Sequence, residues 1–158
     1  MKEPLVSIIL SVYNDEDHIG DSIASILSQT FNNFELIIIN DGSSDKSFEI
    51  INKYMKKDNR IKLINQNNIG LTKSLNKAIE VSKGNYIARQ DSDDISHAKR
   101  LELQVKWLEQ NKKNLLCGSW ALKRGKNGRQ RTLKNNPTAH NKARTLLNYK
   151  NAINHSSV

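Results

Sequence analysis

The sequence has one cysteine, two prolines and few aromatic residues, about 6% of the chain. Cys117 alone excludes an internal disulfide and suits a reducing cytoplasm. It stands among Leu115, Leu116 and Trp120, the company of a buried structural thiol rather than a nucleophile. No apolar run approaches the roughly 18 residues of a membrane span. The opening MKEPLVSIILSVYND is not a signal peptide, because Ser7 and Ser11 break its apolar stretch and acids follow. Internal repeats and low-complexity tracts are missing. Acid becomes scarce along the chain: residues 95–158 hold 14 Lys and Arg against only Glu102 and Glu109, a net of +12, whereas residues 1–94 carry a net of −3. Such asymmetry points to a negatively charged partner, whether phosphate, an anionic membrane surface or nucleic acid. The plainer alternative is a solvated surface whose balancing acids lie elsewhere. No interleaving of basic and aromatic residues supports nucleic acid, and none is expected.

What remains is an ordinary globular composition, 37% hydrophobic and 26% charged, over 158 residues, which suits one domain. Val6–Val12 (VSIILSV) is a short apolar run suited to a strand buried on both faces. Asp15 is placed to cap a helix carrying Ile19, Ile23, Ile26 and Leu27 at helical spacing. Phe34–Ile39 reads as a second strand, and Phe48, Ile51 and Met55 as a second helix. Ile61–Ile64 gives a third strand. Leu71, Leu75, Ala78 and Ile79 form the stripe of a third helix, with Gly84 in the position of its C-terminal cap. Asn85–Ala88 is a fourth strand, Ala98 to Leu108 a fourth helix, and Leu115–Leu122 a further strand. Lys123–Arg131 reads as a turn or hairpin loop, and residues 138–149 as one more helix. Strands alternating with helices imply right-handed βαβ units and a mostly parallel sheet.

In such a sheet ligands bind outside the carboxyl ends of the strands. Those positions hold Tyr13-Asn14-Asp15, Asn40-Asp41-Gly42, residues 65–70 and Arg89-Gln90-Asp91-Ser92-Asp93-Asp94. Asp91, Asp93 and Asp94 crowd like charges where a strand emerges, which a divalent cation would relieve. Hard oxygen ligands suit Mg2+ or Mn2+ bridged to substrate phosphates. A polar loop, with Asp94 or Ser96 capping the fourth helix, is the alternative. Asp41 accepts hydrogen bonds only, so it could receive a uracil imide or a ribose hydroxyl, or it could simply form the Asn-Asp-Gly turn. Tyr13 either offers a face for stacking on a base or closes the core at a strand end.

The segments SIILSVYND, FELIIINDGSSD, NNIGLTKSLNKAI and GNYIARQDSDDIS, in this order and spacing, resemble the N-terminal half of family 2 glycosyltransferases. RLELQVKWLEQ, CGSW and the ending NAINHSSV also resemble that family, so the likeness runs through essentially all 158 residues. It implies an α/β GT-A fold, Rossmann-like and incomplete at the C-terminus. It implies one domain over 1–158, with 1–94 binding the nucleotide-sugar and 95–158 beginning the acceptor part. The expected activity is metal-dependent, inverting transfer from a nucleotide-sugar, a UDP-sugar by expectation, to a glycan or lipid-linked acceptor in bacterial cell-surface polysaccharide synthesis. The expected setting is the cytoplasm, with peripheral contact at the inner face of the membrane.

By the same resemblance Tyr13 stacks on the donor base and Asp41 contacts base and ribose. Asp91 and Asp93 form the D-x-D motif, with Asp93 the direct metal ligand and Asp91 the partner of ribose or metal-bound water. Asn68 and Lys73 approach the nucleotide. Arg89 is read as neutralising the adjacent carboxylates. One part is missing: the family's downstream carboxylate base has no match after Asp94, and the catalytic base is unassigned. His18, His97 and His140 do not fill the gap, and His155 is the nearest substitute. The chain is therefore expected to be truncated. A catalytically inactive nucleotide-sugar-binding module is the alternative, and a nucleotidyltransferase is disfavoured because the loop after the first strand, VYNDEDH, has no glycine.

Overall fold

The computed structural model describes residues 3–124 and 130–133. Residues up to Leu103 form one compact unit, and Gln104 begins a second. The first unit runs β1 (Val6–Val12), α1 (Ile19–Leu27), β2 (Phe34–Asp41), α2 (Ser47–Met55), β3 (Ile61–Gln66), α3 (Leu71–Glu80) and β4 (Tyr86–Asp91), and then starts α4 (Arg100–Gln110). Its four strands form one parallel sheet in the order β3-β2-β1-β4, as the βαβ pattern implies. β1 and β2 lie inside the sheet. Every residue of β2 is buried, and of β1 only Ser11 is partly exposed, which is why both read as unbroken apolar runs. Alternate residues serve opposite faces. Ile9, Ile37 and Ile39 pack with Ala78 of α3, and Ile64 and Leu75 flank them.

The strand order reverses at β1: β2 and β3 extend to one side, and β4 pairs on the other. A crevice at the carboxyl edge of such a switch point is where open α/β sheets take ligands. Ser11 pairs with Asp91 and Val12 with Asn40, so β4, β1 and β2 deliver their last residues side by side.

Several local expectations are corrected. Asp15 does not cap α1 with its side chain. Its backbone carbonyl accepts the N–H groups of His18 and Ile19, its carboxylate takes the His18 ring, and the helix starts at Ile19. Gly84 is not a helix cap, since α3 ends at Glu80 with Val81 as cap. Glycine is needed there because a Cβ would stand 2.4 Å from the backbone nitrogen of Ser7. The stripe of α3 is narrower than its sequence suggests: Ala78 is buried, whereas Leu71 and Ile79 are about half exposed. α4 begins at Arg100, and neither Asp94 nor Ser96 caps it; the Ser96 hydroxyl donates to Gln90 Oε1 instead.

In the second unit the strand expected over Leu115–Leu122 is confined to β5 (Ala121–Arg124). Leu115 is fully exposed, so nothing rewards extension there. β5 pairs antiparallel with β6 (Gln130–Leu133), giving the hairpin expected near Lys123–Arg131. Cys117 is half-buried, and burial pushes its thiol up, consistent with an unreactive group. The helix expected over 138–149, His140 and His155 lie outside the described residues. No helix among the described residues is long and apolar enough to cross a membrane.

Candidate functional site

The loops following β1 and β2 are sewn together. Asn14 adopts a positive φ of 49° and presents its side-chain oxygen to the Ser44 N–H at 2.8 Å, while its own N–H donates to Ser43 Oγ at 3.0 Å. The Asp15 N–H donates to Ser47 Oγ, the Glu16 N–H to Asp45 Oδ2, and the Lys46 N–H to Glu16 Oε2. The Asp45 carboxylate also accepts from the Ser47 N–H at 2.9 Å, and burial, outweighed by such bonds, leaves its acid below the usual carboxylate range. These exchanges fix the rim on which Tyr13 stands. Tyr13 itself is 55% exposed, so it does not close the core; its ring is open to a ligand.

Asp41 ends β2 and is buried. Its Oδ1 accepts from Gln66 Nε2 at 2.8 Å and from the Ile69 N–H at 2.9 Å, and its Oδ2 accepts from the Gly70 N–H at 2.9 Å. Burial opposes its charge, but the bonds from Gln66, Ile69, Ser74 and Gly70 outweigh burial and hold it below the usual carboxylate range. Gly70 is the N-cap of α3, so a carboxylate from β2 caps that helix from outside its own segment. About four lone-pair positions exist on a carboxylate, and Gln66, Ile69, Gly70 and Ser74 all draw on them. The adjoining Gly42 has φ 79°, and a Cβ there would lie 2.7 Å from the Asn68 nitrogen. The loop carrying Asn68 is thus pressed against the Asp41-Gly42 turn, with the Asn68 side chain exposed. Lys73 is exposed on the first turn of α3.

The acidic loop after β4 rests on a buried polar base that the sequence did not reveal. Gln90 is buried and donates to Ser22 Oγ and to the Asp94 carbonyl, while its Oε1 accepts from Ser96 Oγ and from Arg100 Nη1. Arg100, 7% exposed, also donates to Ser96 Oγ and to the Arg89 carbonyl. Burial lowers its pKa to about 10 against the pull of Asp94 and Asp91, so it stays charged at neutral pH. Arg89 Nε donates to Asp91 Oδ1 at 2.9 Å, the neutralising role expected of it. Two guanidinium groups therefore already offset part of the like-charge repulsion that seemed to require a metal ion. Asp91 is half-buried in that pair. Asp93 is exposed, and no hydrogen bond or ion pair to another described residue holds its carboxylate.

The structure brings Tyr13, Asp41 and Asp91 to adjacent strand ends, with Asn68 beside the Asp41 turn and Asp93 two residues beyond Asp91. Among the described residues no group of three or more His, Cys, Asp or Glu side chains converges as a metal cage. One open carboxylate with a second half-committed fits an ion that draws its other ligands from water and substrate phosphates, the usual habit of Mg2+. Asn14, Ser43, Ser44, Asp45, Gln90 and Arg100 were not singled out from sequence. Only the Asn14 and Ser43-Ser44-Asp45 group carried a signal, as turn-forming residues at strand ends. A hollow lined by Met55 to Arg60 opens beside the start of β3 and contains none of these residues.

The family model described as Glycosyl transferase family 2 matches residues 7–157. An uncharacterised glycosyltransferase of Haemophilus influenzae is 43% identical over 118 residues, covering 74% of this chain and 36% of the relative. Among solved structures, Staphylococcus aureus TarS 1–349 in complex with UDP-GlcNAc is similar with a TM-score of 0.63 and 28% identity, over 66% of this chain and 31% of that one. A mannosyltransferase from Pyrobaculum calidifontis, in complex with GDP-Man and Mn2+, has a TM-score of 0.64 at 20% identity, over 74% of this chain and 34% of that one, a likeness of fold alone. The chain spans between about a sixth and a half of the length of the curated relatives it matches.

Proposed function

Because this chain belongs to glycosyltransferase family 2, we propose that it binds a nucleotide-sugar, a UDP-sugar, and serves inverting transfer of the sugar to a glycan or lipid-linked acceptor in cell-surface polysaccharide synthesis. The observation that carries the reading is the convergence of Tyr13, Asp41 and Asp91 at the switch point of the sheet. The likeness to TarS, whose structure holds UDP-GlcNAc, supports a UDP-linked donor. Tyr13 stacks on the base. Asp41 positions the Asn68 loop toward base and ribose. Asp91, held by Arg89, meets the ribose.

Asp93 is the residue that would hold Mg2+ or Mn2+, assisted by Asp91. Such an ion supplies Lewis-acid stabilisation of a departing diphosphate. Gln90 and Arg100 keep the Asp91–Asp94 loop in place for this, and the charges of Arg89 and Arg100 offset the repulsion among its carboxylates. Residues 1–94 form the donor part in this reading and 95–158 the start of the acceptor part. The setting proposed is cytoplasmic, with the basic residues of 95–158 toward an anionic inner membrane face.

A second reading, donor binding without transfer by residues 1–158 on their own, draws on one observation. Of the two acids in residues 95–158, Glu102 Oε2 accepts from Thr30 Oγ1, and Glu109 stands 3.8 Å from Lys112 on the surface. Neither is poised as a base for an acceptor hydroxyl.

Calorimetric titration with UDP in Mn2+ and in EDTA tests the donor site. Binding is expected, with Asp93→Asn weakening it in Mn2+ and changing it little in EDTA. No binding by the wild-type chain refutes the donor reading. Equal losses in both conditions remove Asp93 as metal ligand. Incubation with UDP-sugars and acceptor glycans separates the two readings, since acceptor-dependent turnover by these 158 residues would exclude the second.

A further inference from the structure

The loop after β1 ends in a pair that neither the base contact nor the metal motif uses. His18 Nδ1 donates to Asp15 Oδ1 at 2.6 Å. The Asp15 carboxylate is mostly buried, with its side chain 17% exposed, and its N–H is anchored on Ser47 Oγ. The His18 ring is 60% exposed. A carboxylate bonded to one ring nitrogen fixes the plane of the imidazole and aims the other nitrogen, Nε2, away from it. That arrangement is costly for an idle surface residue, because it orders a side chain whose far end is in water.

The placement of His18 follows from α1. His18 and Ser22 are four residues apart, and the Ser22 N–H donates to the His18 carbonyl, so they share one face of the helix. Ser22 Oγ donates to the Asp91 carbonyl at 3.0 Å and accepts from Gln90 Nε2. His18 therefore stands one turn beyond the contact with the end of β4, on the side where the chain continues to Asp93. The charged groups whose fields reach it are Asp15, which it touches, Asp17 from its own loop and Asp93 from the loop after β4. Their effect agrees: the hydrogen bond and charge of Asp15, against slight desolvation and joined by Asp17 and Asp93, raise the imidazole above its ordinary value.

We propose that His18, oriented by Asp15, binds the diphosphate of the donor through Nε2, on the side of the phosphates opposite the base contact. The inference rests on the donor reading above and deepens it. His18 is the direct contact, and Asp15 is a positioning residue that acts only through it. When protonated, the ring supplies a donor to a phosphate oxygen beside the exposed Asp93 carboxylate, which would otherwise repel the ligand.

The test compares UDP with uridine, at pH 7.5 in Mn2+, on the wild-type chain, His18→Gln, His18→Lys and Asp15→Asn. A charge-assisted bond at a partly exposed site is expected to give about a tenfold loss of UDP affinity in His18→Gln. Uridine affinity should stay within about twofold, because uridine has no phosphate for the residue to touch. His18→Lys, which keeps a cation, should recover most of the loss. Asp15→Asn should lose UDP affinity at pH 7.5 and regain it at pH 6, where an imidazole protonates without the carboxylate. Unchanged UDP affinity in His18→Gln overturns the inference, and so does an equal loss for uridine, which would mark a structural effect on the base site. Failure of the wild-type chain to bind either ligand overturns the donor reading, and this inference with it.

Discussion

Asp41→Asn is the substitution in which stability and donor binding are most closely coupled. The carboxylate accepts from Gln66, Ile69 and Gly70. Asparagine has a single acceptor oxygen, so it can keep the pair at Oδ1 or the bond at Oδ2, not both. In the less costly orientation its carbonyl serves Gln66 and Ile69, and its amide confronts the Gly70 N–H, donor against donor. One charge-assisted bond is lost, worth about 1.5–3 kcal/mol, and the other two become neutral bonds worth about 0.5–1.5 kcal/mol each. Gly70 is exposed and its N–H can turn to water, which trims the cost. About 2–3 kcal/mol is the resulting expectation, enough to release the loop of residues 67–70 from the Asp41-Gly42 turn.

Urea unfolding at pH 7 measures that loss, and UDP titration should show an affinity drop of about 30-fold if the closed loop is required for binding. The acid dependence supplies a second readout. The folded pKa of Asp41 lies below its unfolded value, so its stabilisation is complete above the ordinary aspartate range, about 3.9. It is lost as the pH falls through the lower folded value. The gap between wild type and variant should therefore close in acid. A variant within about 0.5 kcal/mol of wild type at pH 7 would refute the capping argument, since surface changes of no consequence fall in that range.

Three further outcomes follow from the same geometry. Tyr13→Ala should lower UDP affinity about tenfold, by loss of a stacking face, while Tyr13→Phe keeps it; equal losses in titration would show that the hydroxyl, not the ring, makes the contact. Gly84→Ala should cost about 1–3 kcal/mol in urea unfolding, because the new Cβ meets the backbone of Val6 and Ser7 rather than a flexible side chain. Glu35→Gln should destabilise by about 1–3 kcal/mol at pH 7 and leave UDP affinity within about twofold, since Glu35 accepts from Ser7, Lys83 and Lys62 at the amino end of the sheet. Burial opposes the Glu35 charge, but the bonds from Lys62, Ser7 and Lys83 outweigh it and depress its pKa. Its stabilisation should likewise be present at neutral pH and disappear in acid.

The parts legible in the sequence were those written in local pattern. β1 and β2 are buried on both faces, and such strands must be apolar throughout, so VSIILSV and FELIII announce themselves. Arg89 was readable against Asp91 because residues two apart on a strand share a face. The capping roles were misread where a residue answered to a distant segment. Gly84 looks like a helix stop, yet its constraint is the Ser7 nitrogen, 77 residues earlier. Asp15 looks like a cap, yet its carboxylate goes to His18. Arg100 looks like one cation among many in a basic half, and nothing near it in sequence marks it as buried. Its partners Gln90 and Ser96 declare themselves only when β4 and α4 are packed.

The two ends of the sheet are built by different rules, and that difference supports the placement of the donor site. At the amino end, Ser7, Glu35 and the N–H groups of Lys83 and Gly84 satisfy one another in a closed network. At the carboxyl end the network is deliberately unfinished: Gln90 and Arg100 are saturated beneath the loop, while Tyr13, His18 and Asp93 are left exposed above it. A fold gains nothing in stability from ordering the base of a loop whose Asp93 carboxylate has no hydrogen-bond partner within the described residues. The cost is explained if a ligand completes the set. A molecule that would do so carries a flat face for Tyr13, an anionic centre for His18 and for a cation at Asp93, and a hydroxyl or imide for the loop that Asp41 positions. A nucleoside diphosphate has all of these within one short frame. Uridine alone lacks the second and inorganic diphosphate lacks the first and third, so each should bind more weakly than UDP. Equal affinity of UDP and either fragment would show that the open groups do not act on one ligand.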